Sequence, residues 1–201
     1  MTAMLLPKYC QTKLGVFKIS NAVILLFCWI VQVLAVKLGP IQPLRTLRTL
    51  LIFTVAYAVM LYLPVKLKKY VTPKVLTEIL LNFNVVLTVY SLILLILPRA
   101  LDTANLSSSQ AGLGIFFSLL GIPMPYMRPN GVYGVRLPWT RNSTEIWDKT
   151  NLLGARLLFV VGVVSLLIGA FQAAWFLMSL MIGVIILTAA TVGYAYHLSQ
   201  P

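Results

Sequence analysis

A polar stretch at residues 128–156, RPNGVYGVRLPWTRNSTEIWDKTNLLGAR, separates long apolar runs on either side. The chain has 20 charged residues (16 Lys and Arg plus 4 Asp and Glu), and 7 of them lie in this stretch, as do 2 of the 4 tryptophans. Pro, Asn and Gly, which favour turns, crowd its first half. The stretch therefore interrupts a hydrophobic chain with a basic, Trp-containing surface, and the other elements are placed relative to it.

The composition of the chain excludes a soluble globular domain. Its 201 residues are 60% hydrophobic and 10% charged, with a mean hydropathy of +0.92. Soluble domains carry about 25% charged residues. With so few polar side chains, the protein cannot cover a water-exposed surface, and a membrane protein is predicted.

Six apolar runs are candidates for membrane helices, because a bilayer core about 30 Å thick needs about 20 helical residues. Backbone groups cannot remain unpaired in lipid, and the runs lack the alternation of barrel strands. The first run is too long for a cleavable signal peptide. The sequence predicts an all-α, polytopic protein of six transmembrane helices. The runs are residues 19–38, 47–65, 75–97, 111–127, 152–170 and 173–196.

The distribution of basic residues predicts the orientation. With six crossings, 12 of the 16 Lys and Arg residues share one side of the membrane with both termini and residues 128–156. The positive-inside rule places that side in the cytoplasm of a bacterial cell, so a multi-pass plasma-membrane protein is expected. The fourth run is short and could be re-entrant, which would move residues 128–156 outside. The charge asymmetry favours the crossing.

The chain is predicted to divide near residue 104. Residues 1–104 form a three-helix membrane region with a basic connector, which suits anionic headgroups. Residues 105–201 form a second three-helix region that carries the loop at residues 128–156. Its last two helices form a close hairpin, with small residues for helix packing. Those residues are Ser165, Gly169, Ser179 and Gly183.

The third run carries polar side chains that form a possible intramembrane site. Asn84, Thr88 and Ser91 share one helical face, and Glu78 and Asn82 form a second pair four residues apart. Polar residues in membrane helices usually face the helix bundle. Hydrogen bonds between helices are the favoured interpretation, and a substrate or ion path is the alternative.

Turn and helix signals organise residues 128–156. Pro129, Asn130 and Gly131 predict a turn, and Gly134 adds backbone freedom. Leu137 precedes Pro138 and is expected to be extended.

Asn142 is predicted to cap a helix, with Glu145 reaching back to it, and this helix continues into the fifth apolar run. On it, Glu145 and Lys149 are spaced for an ion pair. Trp147, Asn151 and Gly154 share another face, where Gly154 would admit a backbone or a bulky ring.

Three arginines precede the predicted helix start, and arginine favours phosphate and carboxylate groups. Arg128, Arg136 and Arg141 are therefore candidates to bind a phosphate, a lipid headgroup or a carboxylate. The alternative is that the arginines, with Trp139 and Trp147, anchor the loop at the membrane surface. In that case Glu145 and Asp148 would neutralise the arginines.

This stretch resembles the signature of the SdpI/YfhL family of bacterial membrane proteins, approximately N-x-x-x-G-[IV]-R-T-P-W-T-L-x-x-x-x-[VI]-W-x-K-T-[NH]-x-x-x-G. The similarity extends over about residues 105–198. Two positions depart from the pattern, with Leu137 in place of Thr and Arg141 in place of Leu. The matching residues are Asn130, Gly134, Arg136, Pro138, Trp139, Thr140, Trp147, Lys149, Thr150, Asn151 and Gly154.

The resemblance implies an immunity protein that protects its cell from a secreted toxin peptide. It also implies a possible receptor that holds a cytoplasmic repressor at the membrane. The expected partners are membrane lipids, a hydrophobic toxin peptide and that repressor. The segment found in longer family members between their first helices is absent, and it could carry toxin recognition.

A small transporter or lipid-handling protein is the alternative function, supported by the polar third run. An enzyme is not expected, because no catalytic triad, phosphate loop or metal cluster appears in the sequence. His197 is the only histidine, and Cys10 and Cys28 are interpreted as free thiols. No cofactor and no direct nucleic-acid binding are predicted.

Overall fold

A computed structural model describes residues 5, 14–38, 47, 50, 51, 54, 55, 57–59, 62, 72–96, 107–130, 132–172 and 174–200. Within this part of the chain every regular element is helical, which confirms the all-α prediction. The described positions of the second predicted run are helical too. The helices are α1 (Leu14–Leu38), α2 (Pro73–Ile96), α3 (Ser107–Gly121), α4 (Pro138–Asn142), α5 (Thr144–Phe171) and α6 (Trp175–Ser199), with a 3-10 turn at Met124–Tyr126.

Three of the described helices are long and apolar enough to cross a membrane. They correspond to the third, fifth and sixth predicted runs, with spans at Pro73–Ile93, Thr144–Gly169 and Trp175–Ser199. Shorter apolar helical stretches lie at Ile19–Val31 and Leu113–Tyr126. Helix α3 has 15 residues and is therefore about 23 Å long, less than a bilayer core of about 30 Å. Six crossings, and the crossing by α3 in particular, stay predictions.

Small residues bring α3 and α5 into backbone contact. A Cβ atom added at Gly121 would lie 2.8 Å from the carbonyl oxygen of Ala155, and one at Gly114 would lie 2.9 Å from that of Gly162. A side chain at either glycine would force the two helices apart. The sequence interpretation did not identify this contact. It did identify Gly183 on α6, which packs against the Val161 side chain of α5.

The polar face of α2 meets α1. Asn21 Nδ2 donates to the backbone carbonyl of Asn84 at 3.2 Å, and Cys28 Sγ donates to that of Ser91 at 3.1 Å. Hydrogen bonding between helices is therefore present at this face, although the acceptors are backbone carbonyls rather than side chains. The side-chain oxygens Asn84 Oδ1 and Thr88 Oγ1 are buried and have no hydrogen-bond partner in the described structure.

Candidate functional site

Asn130 builds the first turn of the loop. Its Oδ1 accepts hydrogen bonds from the backbone N–H groups of Val132 and Tyr133 at 2.9 and 2.8 Å, and its Nδ2 donates to the carbonyl of Arg128 at 2.8 Å. A short amide side chain can replace a backbone group in such a turn. The predicted turn is confirmed at Asn130, and its side chain explains why asparagine suits this position.

Trp147 fastens the end of the α3 region to α5. Its ring is completely buried, and Nε1 donates to the carbonyl oxygen of Met127 at 2.7 Å. The prediction that Trp147 anchors the loop at the membrane interface is wrong, because a ring with no exposed surface cannot contact headgroups. The indole instead satisfies a backbone carbonyl where the chain leaves the 3-10 turn.

Gly134 lies directly against α5. Its φ of +108° is a conformation that L side chains rarely adopt. A Cβ atom there would lie 2.5 Å from Asn151 Oδ1 and 3.0 Å from the nearest ring atom of Trp147. The predicted need for backbone freedom at Gly134 is confirmed, and this glycine, rather than Gly154, admits the bulky ring.

Asn151 joins the loop to α5 by one hydrogen bond, and a second bond holds its side chain against α5. Its Oδ1 accepts from the backbone N–H of Val135 at 2.8 Å, and its Nδ2 donates to the carbonyl of Trp147 at 2.9 Å. The side chain is fully buried, so both bonds are shielded from water. The amide thereby holds an irregular segment of the loop against a regular helix.

Thr140 determines where α4 begins. Its buried Oγ1 accepts from the N–H of Leu137 at 2.8 Å and lies 2.9 Å from the carbonyl of Val135, to which it donates. Leu137 is extended, as predicted for a residue before proline, with φ −112° and ψ 159°. Pro138 can open the helix because it needs no N–H bond there.

The predicted cap at Asn142 is wrong. Asn142 is the last residue of α4, and Ser143 is the N-cap of α5, with its Oγ accepting from the N–H of Ile146 at 3.4 Å. Because Asn142 belongs to α4, it is not the N-cap of α5, and Glu145 cannot form the predicted capping box with it. Glu145 instead accepts a 2.6 Å bond from Lys149, so the predicted ion pair is confirmed.

Trp139 connects the loop to the last helix. Its ring meets the ring of Tyr196 edge to face, with centroids 5.9 Å apart at 70°. Such aromatic pairs add about 0.5–1.5 kcal/mol beyond simple burial. Through the contact of Trp139 with Tyr196 of α6 and the bond of Trp147 of α5 to Met127, the loop lies across the open end of the hairpin.

The remaining matched residues have mixed surroundings. Gly154 is buried and faces the side chains of Met124 and Val135, which lie 3.2 and 3.4 Å from an added Cβ atom. The prediction that a backbone or a ring packs against Gly154 is therefore wrong. Thr150 is fully buried, and its hydroxyl has no hydrogen-bond partner among the described residues. The Tyr133 hydroxyl is likewise buried without a hydrogen-bond partner among the described residues, and burial raises the pKa of this phenol.

Two arginines of the loop share a groove of about 480 Å³, which is lined by Arg136, Leu137, Pro138 and Arg141. Glu145 pairs with Lys149 at 2.6 Å, and the expectation that Glu145 and Asp148 neutralise the arginines stays a prediction. Arg128 is exposed and does not line this groove. The structure thus brings together two of the three predicted arginines.

Glu78 and Asn82 of α2 meet the 3-10 turn that precedes the loop. Asn82 Nδ2 donates to the Tyr126 hydroxyl at 2.9 Å, and that hydroxyl also hydrogen-bonds the Glu78 side chain. These two residues therefore face a different neighbour from Asn84 and Ser91, and the predicted polar site divides into two parts. Tyr126 was not identified from the sequence, because nothing local links it to a residue 44 positions earlier.

The described residues contain no group of three or more His, Cys, Asp or Glu side chains that could bind a metal ion. What they contain is a loop fixed to α5 at Gly134, Val135 and Met127 by Trp147 and Asn151. The family-model comparison matches this region, since the SdpI/YfhL protein family aligns with residues 126–195. Residues 126–195 are therefore similar to the SdpI/YfhL family. The matched segment starts later than the predicted residue 105 and covers the loop, α5 and most of α6.

A curated relative gives the region a functional context. The chain is 24% identical over 86 residues to the immunity protein SdpI of Bacillus subtilis (strain 168). The alignment covers 43% of this chain and 42% of the relative, so the chain spans less than half the length of the protein it matches. No solved structure matches the chain. The family region and the three long apolar helices together indicate a membrane protein.

Proposed function

We propose that the protein gives its cell immunity to a secreted antimicrobial peptide, as a non-enzymatic protein of the bacterial plasma membrane. In this proposal the chain crosses the membrane six times, with both termini and the loop in the cytoplasm. The toxin peptide is bound on the membrane side. The loop holds a cytoplasmic repressor when the peptide is present, which adds a signalling role.

The single observation that supports this function most is the way the signature residues fold. Gly134, Trp147 and Asn151 each make a contact that fixes the loop on α5, and Thr140 orders the loop itself through Val135. The signature therefore specifies a loop fixed on a helix, and its charged members, Arg136 of the loop and Lys149 of α5, are exposed. A rigid base with exposed charges suits binding of a partner, as expected for an SdpI-like role.

Survival of a toxin-sensitive host tests the proposal. We expect cells expressing the full chain to survive a secreted antimicrobial peptide, chosen from a panel, that kills cells lacking the chain. Arg136→Ala should abolish protection, because it removes an exposed signature charge without disturbing packing. Arg128→Ala, which removes the same charge outside the groove, serves as the matched control.

Membrane levels of each variant are measured in parallel, so that loss of protection is not confused with loss of insertion. Failure of the chain to protect against any peptide of the panel would contradict the immunity role. Equal protection by Arg136→Ala and the unmodified chain would remove the loop from the mechanism.

Transport or lipid handling is the second candidate, favoured by the buried oxygens Asn84 Oδ1 and Thr88 Oγ1. Oxygens without hydrogen-bond partners in an apolar helix are costly unless a solute or water visits them. This function predicts solute flux in liposomes that contain the purified chain, and Asn84→Leu should abolish that flux. Liposomes that stay tight to ions, amino acids and lipid probes would reject it.

A further inference from the structure

Tyr126 connects α2 to the turn that precedes the loop. Asn82 Nδ2 donates to the Tyr126 hydroxyl at 2.9 Å, and the Glu78 side chain hydrogen-bonds the same hydroxyl. Both of these α2 residues are buried. Helix α2 packs mainly on α1 and meets α3 and α5 at few positions. This polar contact therefore joins two parts of the fold that otherwise touch little.

The connection continues from Tyr126 to α5 through the backbone. The Tyr126 N–H donates to the Pro123 carbonyl at 3.1 Å, which closes the 3-10 turn. The carbonyl of the next residue, Met127, accepts the 2.7 Å bond from Trp147 Nε1. A displacement of Tyr126 therefore moves the acceptor of Trp147, whose ring lies against the loop at Gly134.

The polar atoms at the contact of Asn82 with Tyr126 add direction rather than burial. A leucine at residue 82 and a phenylalanine at residue 126 would bury similar volumes without a polar group to satisfy. A hydrogen bond, in contrast, fixes both the distance and the angle between its partners, and it is stronger where water is excluded. The bond thus holds the phenol in one orientation relative to α2.

We infer that Tyr126 is a positioning residue through which α2 sets the geometry of the loop. Helix α2 precedes residues 126–195, which align with the family, and Tyr126 is the first residue of that segment. A ligand that displaces α2 within the bilayer would act on the loop through this residue. The consequence for immunity rests on the proposed function, in which the loop binds the partner, whereas the coupling itself is measured without peptide or partner.

Hydrogen–deuterium exchange of the purified full chain in detergent micelles, followed by mass spectrometry, tests the coupling. The reporters are three backbone N–H groups whose bonds to asparagine side chains define the loop, those of Val132, Tyr133 and Val135. Exchange in α6, measured in the same spectra, reports the stability of the whole fold.

Tyr126→Phe and Asn82→Leu both remove the bond between α2 and the turn and leave apolar groups in its place. Either variant should speed exchange at the three loop N–H groups about 3- to 10-fold, which is the effect of losing one buried hydrogen bond. Exchange in α6 should stay unchanged. The double variant should exchange no faster than Tyr126→Phe alone, because both residues act through the same bond.

Tyr90→Phe and Asn84→Leu are the matched controls. The Tyr90 hydroxyl hydrogen-bonds Ser118 Oγ at 2.8 Å and so joins α2 to α3 instead of the turn. Asn84 is a completely buried asparagine of α2 whose carbonyl accepts from Asn21 of α1. Both controls should keep loop exchange within about twofold of the unmodified chain, because substitutions that share no partner act independently.

Unchanged loop exchange in both Tyr126→Phe and Asn82→Leu overturns the inference, as does an equal rise in α6 or in the controls. A double variant that exchanges faster than Tyr126→Phe would mean that Asn82 acts by another route, which also overturns it. Faster loop exchange in the variants of a chain that protects no cell from any peptide of the panel would support the coupling and reject the immunity role.

Discussion

Replacing Gly134 by alanine tests the contact between the loop and α5. At φ +108° an alanine has two costs: backbone strain of about 1–2 kcal/mol, and overpacking of about 1–3 kcal/mol where its methyl group meets Asn151 and Trp147. The reduced entropy of the unfolded chain offsets about 0.4–1 kcal/mol. Gly134→Ala should therefore lower the free energy of unfolding by about 1–5 kcal/mol.

Unfolding in mixed detergent micelles, followed by tryptophan fluorescence, measures this loss. Gly193→Ala is the matched control, since Gly193 lies in α6 with nothing within 4 Å of an added Cβ. Its helical backbone favours alanine, so this variant should gain about 0.5–1 kcal/mol. If Gly134→Ala were as stable as the unmodified chain, Trp147 and Asn151 could not press on that backbone, and the loop geometry described above would be refuted.

Three further predictions concern packing and orientation. Asn151→Ala should destabilise the protein by about 1–3 kcal/mol in the same unfolding assay, because the N–H of Val135 loses its partner in a buried place; stability within error of the unmodified chain would refute this role. Gly162→Ala should cost about 1–3 kcal/mol, since the new methyl would lie 2.5 Å from a backbone oxygen of α3, while Gly193→Ala again serves as the control. With six crossings, a cysteine introduced by Ser143→Cys should resist a membrane-impermeant thiol reagent in intact cells and react after lysis, relative to the unmodified chain; labelling of intact cells would place the loop outside.

Local signals in the sequence predicted the features that depend on neighbouring residues. Asparagine before glycine predicted the turn at Asn130, and the spacing of Glu145 and Lys149 predicted their ion pair. The apolar lengths of α2, α5 and α6 predicted three long helices, since helix formation in lipid depends mainly on length and composition.

Features that depend on distant residues were not predictable in this way. Two adjacent residues, Asn142 and Ser143, are both good N-caps, and the choice between them depends on α4, which Thr140 stabilises through Val135. The burial of Trp147 depends on the carbonyl of Met127, 20 residues away. Single glycines on α3 and α5 show no shared register in the sequence, so their close approach became visible only in three dimensions.

The length of α5 has a mechanical consequence. Its 28 residues extend over about 42 Å, whereas a bilayer core is about 30 Å thick, so the helix is longer than the core it would cross. Trp147 and Asn151 lie one turn apart near the start of α5. Trp147 bonds Met127 and Asn151 bonds Val135, so the loop is attached to α5 at two points. The loop must then rotate and tilt together with α5. The contact of Trp139 with Tyr196 couples the same motion to α6. A peptide that shifts α5 inside the bilayer would therefore reorient the groove lined by Arg136 and Arg141 without contacting it.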